Sequence, residues 1–362
     1  MALPCELIHE ILCLVPVKYL LRCRCVSKQW CLIIDSTEFV EKHFKTSVER
    51  NRSGIISIGG GNLYLADYES LRDDDAPSVA RMDDPLSNAL FVGSDNGVVC
   101  LCKDKGNVIL LLNPSTRKWR TLPSVPAEFP RCFVTSKKYL CGFGYVNDDY
   151  KVVKVVECDR PSRGIMVIVY SFKTNSWTRV QNVPSNRNIL RSDAWGRFAS
   201  GTLHWPAIYR YWVSSVIDGF DLGSEQFKEV ALPGGKNFVH PVRLVALGGI
   251  LCFLDYQNYS YVDVLLKNDN GEESSWFKAY SMDRDTLEFC FSAKPIEYSK
   301  CQRNVLVEVD MKRLVWYHPE TKTVKNINLQ GLPVLFSSHM YTESLVQLTE
   351  NKRLQRPSHE TK

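Results

Sequence analysis

The chain lacks any apolar run long enough to cross a membrane as a helix: stretches such as Val108 to Leu112 fall far short of the roughly 20 residues needed. It also lacks a secretory leader at its start, Met1-Ala2-Leu3-Pro4, where no basic segment leads into an apolar run and a small-residue cleavage site. The expectation is a soluble intracellular protein, cytoplasmic, nuclear or both. Charge of a single sign is scarce too. Lys and Arg number 45 against 40 Asp and Glu, leaving a formal +5, with no long basic run, which argues against a nucleic-acid partner.

Catalytic signatures are missing as well. There is no Gly-x-Ser-x-Gly elbow, no Walker loop and no His-Glu-x-x-His pair. Gly59-Gly60-Gly61 has no Lys-Ser/Thr after it and reads as a turn between strands. Cys23-x-Cys25 and Cys100-x-Cys102 have the wrong spacing for zinc, and no second pair with nearby histidines follows, so no metal and no cofactor is expected. The 13 cysteines are an odd number and most sit in apolar stretches such as Val99-Cys100-Leu101-Cys102, the pattern of reduced core thiols. Asp73-Asp74-Asp75 and Asp83-Asp84 read as a solvated loop. His204, beside Trp205 on an expected strand, reads as structural.

What the chain does have is enough material for one small and one large domain: 362 residues, 44% hydrophobic and 23% charged. Leu3 to Leu14 spaces its apolar residues as a helix does, with Pro4 and Glu6 where a first turn accepts them. Pro16 breaks that helix. A second runs from about Val17 to Ile34, and Asp35 with Glu38 looks like a capping box opening a third through Phe39 and Phe44. Three helices in 45 residues enclose little volume, so either some apolar side chains face a partner or the helices pack on the rest of the chain.

The string from Leu3-Pro4-Cys5-Glu6-Leu7-Ile8 through Pro16-Val17-Lys18-Tyr19-Leu20-Leu21-Arg22, continued by Val26-Ser27-Lys28-Gln29-Trp30, resembles the F-box of plant F-box proteins. The resemblance implies that Leu3, Pro4, Leu7, Ile8, Ile11, Leu12, Pro16, Leu20 and Leu21 contact a Skp1-like adaptor and, through it, a cullin. Trp30 is expected to anchor the small core.

Beyond the polar joint around Glu49 to Gly54, short runs of Val, Ile, Leu and aromatics alternate with Gly, Asn, Asp and Pro, the signature of strands and turns. A degenerate hairpin recurs about every 50 residues. It appears at Val108 to Pro123 with Trp119 as its marker, then around Trp177, Phe227, Trp276 and Val324. A glycine followed by an apolar strand precedes several copies, at Gly97, Gly201 and Gly249. Five such units, closed by strands in Ile55 to Tyr68 and Tyr341 to Leu348, add up to a six-bladed β-propeller; a large sandwich is the structural alternative. The expected layout is residues 1–45 as a small all-α F-box of three helices, 46–54 as linker, 55–348 as a large all-β domain and 349–362 as a disordered polar tail.

This β region resembles the F-box-associated domain of the same proteins through Asn113-Pro114-Ser115-Thr116-Arg117, Gly142-Phe143-Gly144-Tyr145 with Asp149-Tyr150-Lys151 after it, and Tyr341-Thr342-Glu343-Ser344-Leu345. The resemblance implies a non-enzymatic substrate receptor of a ubiquitin ligase whose β domain holds an unidentified protein substrate. Loop residues rich in aromatics and arginine mark the expected capture site: Trp195, Arg197, Tyr209, Arg210, Tyr211 and Trp212.

Overall fold

The computed structural model describes residues 4–72, 79–82, 86–130, 139–157, 165–181, 183, 195–208, 214–235, 243–268 and 275–348. The two aspartate clusters, at 73–75 and 83–84, lie outside them.

The N-terminal unit holds four helices rather than three: α1 (Cys5–Cys13), α2 (Val17–Cys23), α3 (Lys28–Asp35) and α4 (Thr37–Glu49). The stretch from Val17 to Ile34 is not one helix because Ser27 is extended, at φ −158°, and its hydroxyl accepts a hydrogen bond from Trp30 N at 3.1 Å. That cap starts a new helix. The cap of α4 also differs from the expected one: Ser36 Oγ accepts from Phe39 N at 3.3 Å, while Asp35 is paired with Arg24 at 2.7 Å. Helix α4 runs on to Glu49 and the first strand opens at Ser53, so the expected linker 46–54 contracts to residues 50–52. Leu12, Val17, Leu20, Ile34 and Phe39 form the helical core, with Trp30 packed at its margin.

The β domain is six antiparallel sheets of four strands each. From the inner strand outward, blade 2 is Leu90–Asp95, Val98–Lys103, Val108–Asn113 and Lys118–Thr121. Blade 3 is Tyr139–Val146, Asp149–Glu157, Ile165–Ser171 and Ser176–Arg179. Blade 4 is Arg197–Ala199, Thr202–Ile208, Ser214–Asp221 and Gln226–Ala231. Blade 5 is Arg243–Leu247, Ile250–Asp255, Tyr261–Asn268 and Ser275–Asp283. Blade 6 is Ala293–Tyr298, Val305–Val309, Arg313–His318 and Thr323–Ile327. The recurring hairpins of the sequence are the two outer strands of blades 2 to 6, and the glycine-led strands are second strands, with Gly97, Gly201 and Gly249 at φ between +74° and +78°.

Blade 1 closes the ring. Its inner strand, Ser337–Thr342, comes from the far end of the sequence and pairs with Ser53–Gly59, followed by Asn62–Asp67 and Ala80–Met82. The closing strand thus precedes most of the expected Tyr341 to Leu348 segment, whose remainder leaves the sheet. The inner strands touch one another in sequence around the ring, and the contact between Ala293–Tyr298 and Ser337–Thr342 completes the circle.

Six hydrophobic clusters fill the six gaps between neighbouring blades. Each sheet is therefore buried on both faces. In blade 2, Val99 and Leu101 face blade 1 while Val98, Cys100 and Cys102 face blade 3, which is why this strand reads as an unbroken apolar run rather than an alternating one. Glycine permits close blade contact: a Cβ on Gly142 would sit 2.6 Å from the Leu203 side chain of blade 4, and one on Gly144 2.5 Å from Phe198.

Candidate docking surfaces

Helix α1 divides its leucines and isoleucines between two jobs. Leu12 is 1% exposed and Leu20, from α2, 0%, so both belong to the helical core rather than to the expected contact set. Leu7 and Ile11 are 50% and 51% exposed, and Leu14, just past the helix, joins them. Positions 7, 11 and 14 follow i, i+4, i+7 spacing and form one stripe. Pro4 is exposed at its start; Ile8, Pro16 and Leu21 are half-buried beside it; Leu3 lies outside the described residues. Tyr19, Val26 and Leu32 are also exposed and were missed. Leu14 was detectable from the helical repeat, whereas Tyr19, Val26 and Leu32 carry no separate signal in the pattern.

The helical unit is seated on one end of the ring. Glu343 Oε2 accepts a hydrogen bond from Val17 N at 3.3 Å, Glu343 N donates to Arg52 O at 3.0 Å, and Arg52 Nη2 donates to Leu14 O. Leu345 enters the helical core itself. Burial pushes the Glu343 carboxyl above its ordinary range. The segment carrying these groups is held from below by Asn113, whose amide donates to Ser344 O at 3.0 Å and Val346 O at 2.9 Å while its oxygen accepts from Ser115 N and Thr116 N. Ser344 N in turn donates to Ser115 Oγ at 3.2 Å. Two segments 230 residues apart in sequence, Asn113 to Arg117 and Tyr341 to Leu345, thus form one clamp between the domains.

The ring axis is the second candidate surface. A cavity of about 380 Å³ opens toward the helical unit and another of about 520 Å³ opens at the opposite end. Phe91, Arg197, Val245, Lys294 and His339 line both. The rings of Phe91 and His339 stack with centroids 3.6 Å apart. Burial, then the Lys294 and Arg197 charges, hold the His339 imidazole well below its ordinary pKa, so it is neutral. Lys294 Nζ lies 3.0 Å from Glu308 Oε2 and donates to Ser337 Oγ and Ser338 O at 3.1 Å, while Arg197 Nε donates to Leu244 O at 3.0 Å. Trp195 lines the second cavity and packs edge-on to Tyr139. Of the expected capture residues, Trp195 and Arg197 therefore meet at the axis; Tyr209, Arg210, Tyr211 and Trp212 lie outside the described residues. His204 Nδ1 lies 3.2 Å from Arg197 O, buried within blade 4.

Residues 78–348 match the family described as the F-box associated beta propeller domain, and residues 1–42 match the F-box domain. The chain belongs to the F-box proteins with an associated β-propeller. F-box protein CPR1 of Arabidopsis thaliana is 29% identical over 374 residues, covering 95% of this chain and 88% of that protein. The F-box/kelch-repeat protein At3g23880 of the same plant is 30% identical over 298 residues, covering 77% and 79%. Within this family framework the helical unit is the F-box, and it packs on the Glu343 to Leu345 segment that Asn113 braces.

Proposed function

We propose that this F-box protein is the substrate-recognition subunit of an Skp1-cullin-F-box ubiquitin ligase, that its F-box binds a Skp1-like adaptor through Pro4, Leu7, Ile11 and Leu14, and that its propeller holds the protein to be ubiquitinated. Membership of the F-box family and the exposed stripe carry this reading. A small helical unit that leaves Leu7 and Ile11 half in water gains most by covering them, at roughly 25 cal/mol per Å² of apolar surface removed from water. Ile8, Pro16 and Leu21 flank the stripe.

The receptor itself performs no chemistry in this reading. Holding the target on the same complex as the activated ubiquitin raises the effective concentration of its lysines, and the transfer belongs to the partners. Work of this kind places the protein in the cytoplasm or the nucleus. The deciding experiment is co-expression with a Skp1-like adaptor: the wild-type chain should co-purify with it, and Ile11→Asp should not, because it puts an unpaired carboxylate into the apolar contact. Retained co-purification of Ile11→Asp, with the propeller still folded, removes the assignment.

A further inference from the structure

Large apolar side chains exposed on the propeller are not scattered evenly. Among the described residues there are nine, and six of them, Leu90, Tyr259, Phe291, Met311, Val334 and Leu335, sit on loops or strand starts at the end of the ring opposite the F-box. Phe291 is 75% and Val334 82% exposed. Exposed apolar side chains gathered at one end of a molecule mark an interaction site.

The patch is held rigidly. The Asp310 carboxylate accepts backbone N–H groups from Cys290, Phe291 and Ser292, all at 2.8 Å, which fixes the loop that displays Phe291. Phe336 N donates to Met311 O at 2.8 Å, tying the loop of Val334 and Leu335 to the same turn. Asp310 and Met311 both take left-handed backbone, at φ +50° and +58°.

The patch borders the 520 Å³ cavity, which Leu90 and Met311 help to line. Arg243 stands at the same mouth with its guanidinium carbon 4.8 Å from the centre of the Tyr256 ring, and no carboxylate lies within 4 Å of it among the described residues. Lys294 and Arg197 lie deeper. The carboxylate lining this cavity, Glu308, is buried and already engaged by Lys294 and Ser338 N. The mouth therefore offers apolar surface beside the Arg243 guanidinium, while the nearby Asp310 carboxylate is taken up by three backbone N–H groups.

Resting on the reading of the propeller as the target-holding domain, we propose that this end of the ring captures a protein segment in which an apolar side chain stands next to a carboxylate, the apolar group on Leu90, Phe291, Met311 and Leu335 and the carboxylate on Arg243. Phe291, Met311 and Arg243 are of the residue types enriched at protein interfaces.

The test is selection of a displayed random dodecapeptide library on the full-length protein. Enriched sequences should pair Asp or Glu with Leu, Ile, Met or Phe within two positions, and a synthetic peptide of that sequence should bind more weakly as salt rises. Arg243→Glu and, separately, the double variant Phe291→Ser with Leu335→Ser should each weaken that peptide at least tenfold with an unchanged thermal transition. Ile11→Asp should leave peptide binding intact while losing the adaptor, so the two readings fail separately. Enrichment of basic or uncharged peptides, no enrichment, or equal binding by the variants overturns the proposal. A dimer in sedimentation that Leu335→Ser dissociates assigns the patch to a second copy of the chain and overturns it as well.

Discussion

The F-box and the propeller dispose of apolar side chains in opposite ways. The propeller divides them among six clusters, each closed by two neighbouring sheets, whereas the F-box has one cluster and completes it with Leu345 borrowed from the far end of the sequence. Closure makes each blade depend on the next but leaves no sheet face to a partner. The F-box is open on two sides: one is covered by the propeller segment around Glu343, and the other carries the stripe of Leu7, Ile11 and Leu14. A domain too small to bury its own surface completes its core with what it packs against, here Leu345.

The strongest way to break this contrast is to cut the ring. Truncation after Phe336 removes the inner strand of blade 1, unpairs the edge of Ser53–Gly59 and uncovers the neighbouring Ala293–Tyr298; the expected product is insoluble or rapidly proteolysed. Removal of residues 1–49 should instead leave a soluble propeller with a cooperative thermal transition. If both truncations behave alike, the asymmetry between the domains is wrong.

Neighbouring residues of α1 sharpen the same comparison. Leu12→Ala should cost about 2 to 5 kcal/mol of F-box stability, measured by amide hydrogen exchange across α1 to α4, because it opens a cavity in the single cluster. Ile11→Ala, one position away, should change stability by less than about 0.5 kcal/mol yet weaken adaptor binding at least tenfold.

Asn113→Ala tests whether the clamp couples the domains. It deletes two hydrogen bonds to a buried segment and the turn contacts to Ser115 and Thr116, for a loss of about 2 kcal/mol. Although Asn113 belongs to blade 2, the loss should appear as faster exchange in α2 and α4 of the F-box.

The smallest effect expected is one of pH. His43 is buried with Nε2 2.9 Å from Val15 O, and desolvation holds its imidazole below the ordinary 6.5. A histidine kept neutral in the fold but not in the unfolded chain stabilises fully above pH 6.5, and that contribution declines as pH falls toward the folded value. Guanidinium melts between pH 7.5 and 5.5 should show the F-box transition weakening, and His43→Gln should flatten that part of the slope.

How much of this was readable before the coordinates differs by element. The outer hairpins of blades 2 to 6 were legible because Trp119, Trp177, Phe227, Trp276 and Val324 mark them at regular distance, and glycines at 97, 201 and 249 mark the strands before them. The short strand Ala80–Met82 was not, since three residues carry no periodicity. In the F-box, the break at Ser27 was hidden inside a continuous helical pattern, and only its capping geometry reveals it. Leu12 and Leu20 were assigned outward because the family's contacts were carried over as a set, and the spacing cannot say which side of a broad apolar face turns inward. At the candidate capture site, aromatic and arginine content pointed to Trp195 and Arg197, but Leu90 and Met311 come to one cavity mouth only through ring closure, a relation between residues more than 200 positions apart.

The placement of the closing strand also orders events on the ribosome. Ser337–Thr342 and the Glu343 to Leu345 segment emerge after every other strand described, so five blades can form while blade 1 stays three-stranded and the F-box waits beside an unbuilt seat. At roughly 5 to 20 residues per second, the interval between completing the F-box sequence and completing its seat is about 15 to 60 seconds. The F-box is thus finished last although it is made first. A nascent or prematurely ended chain has an F-box without its Leu345 and Glu343 supports, so a fully seated F-box requires that translation has reached the final strand.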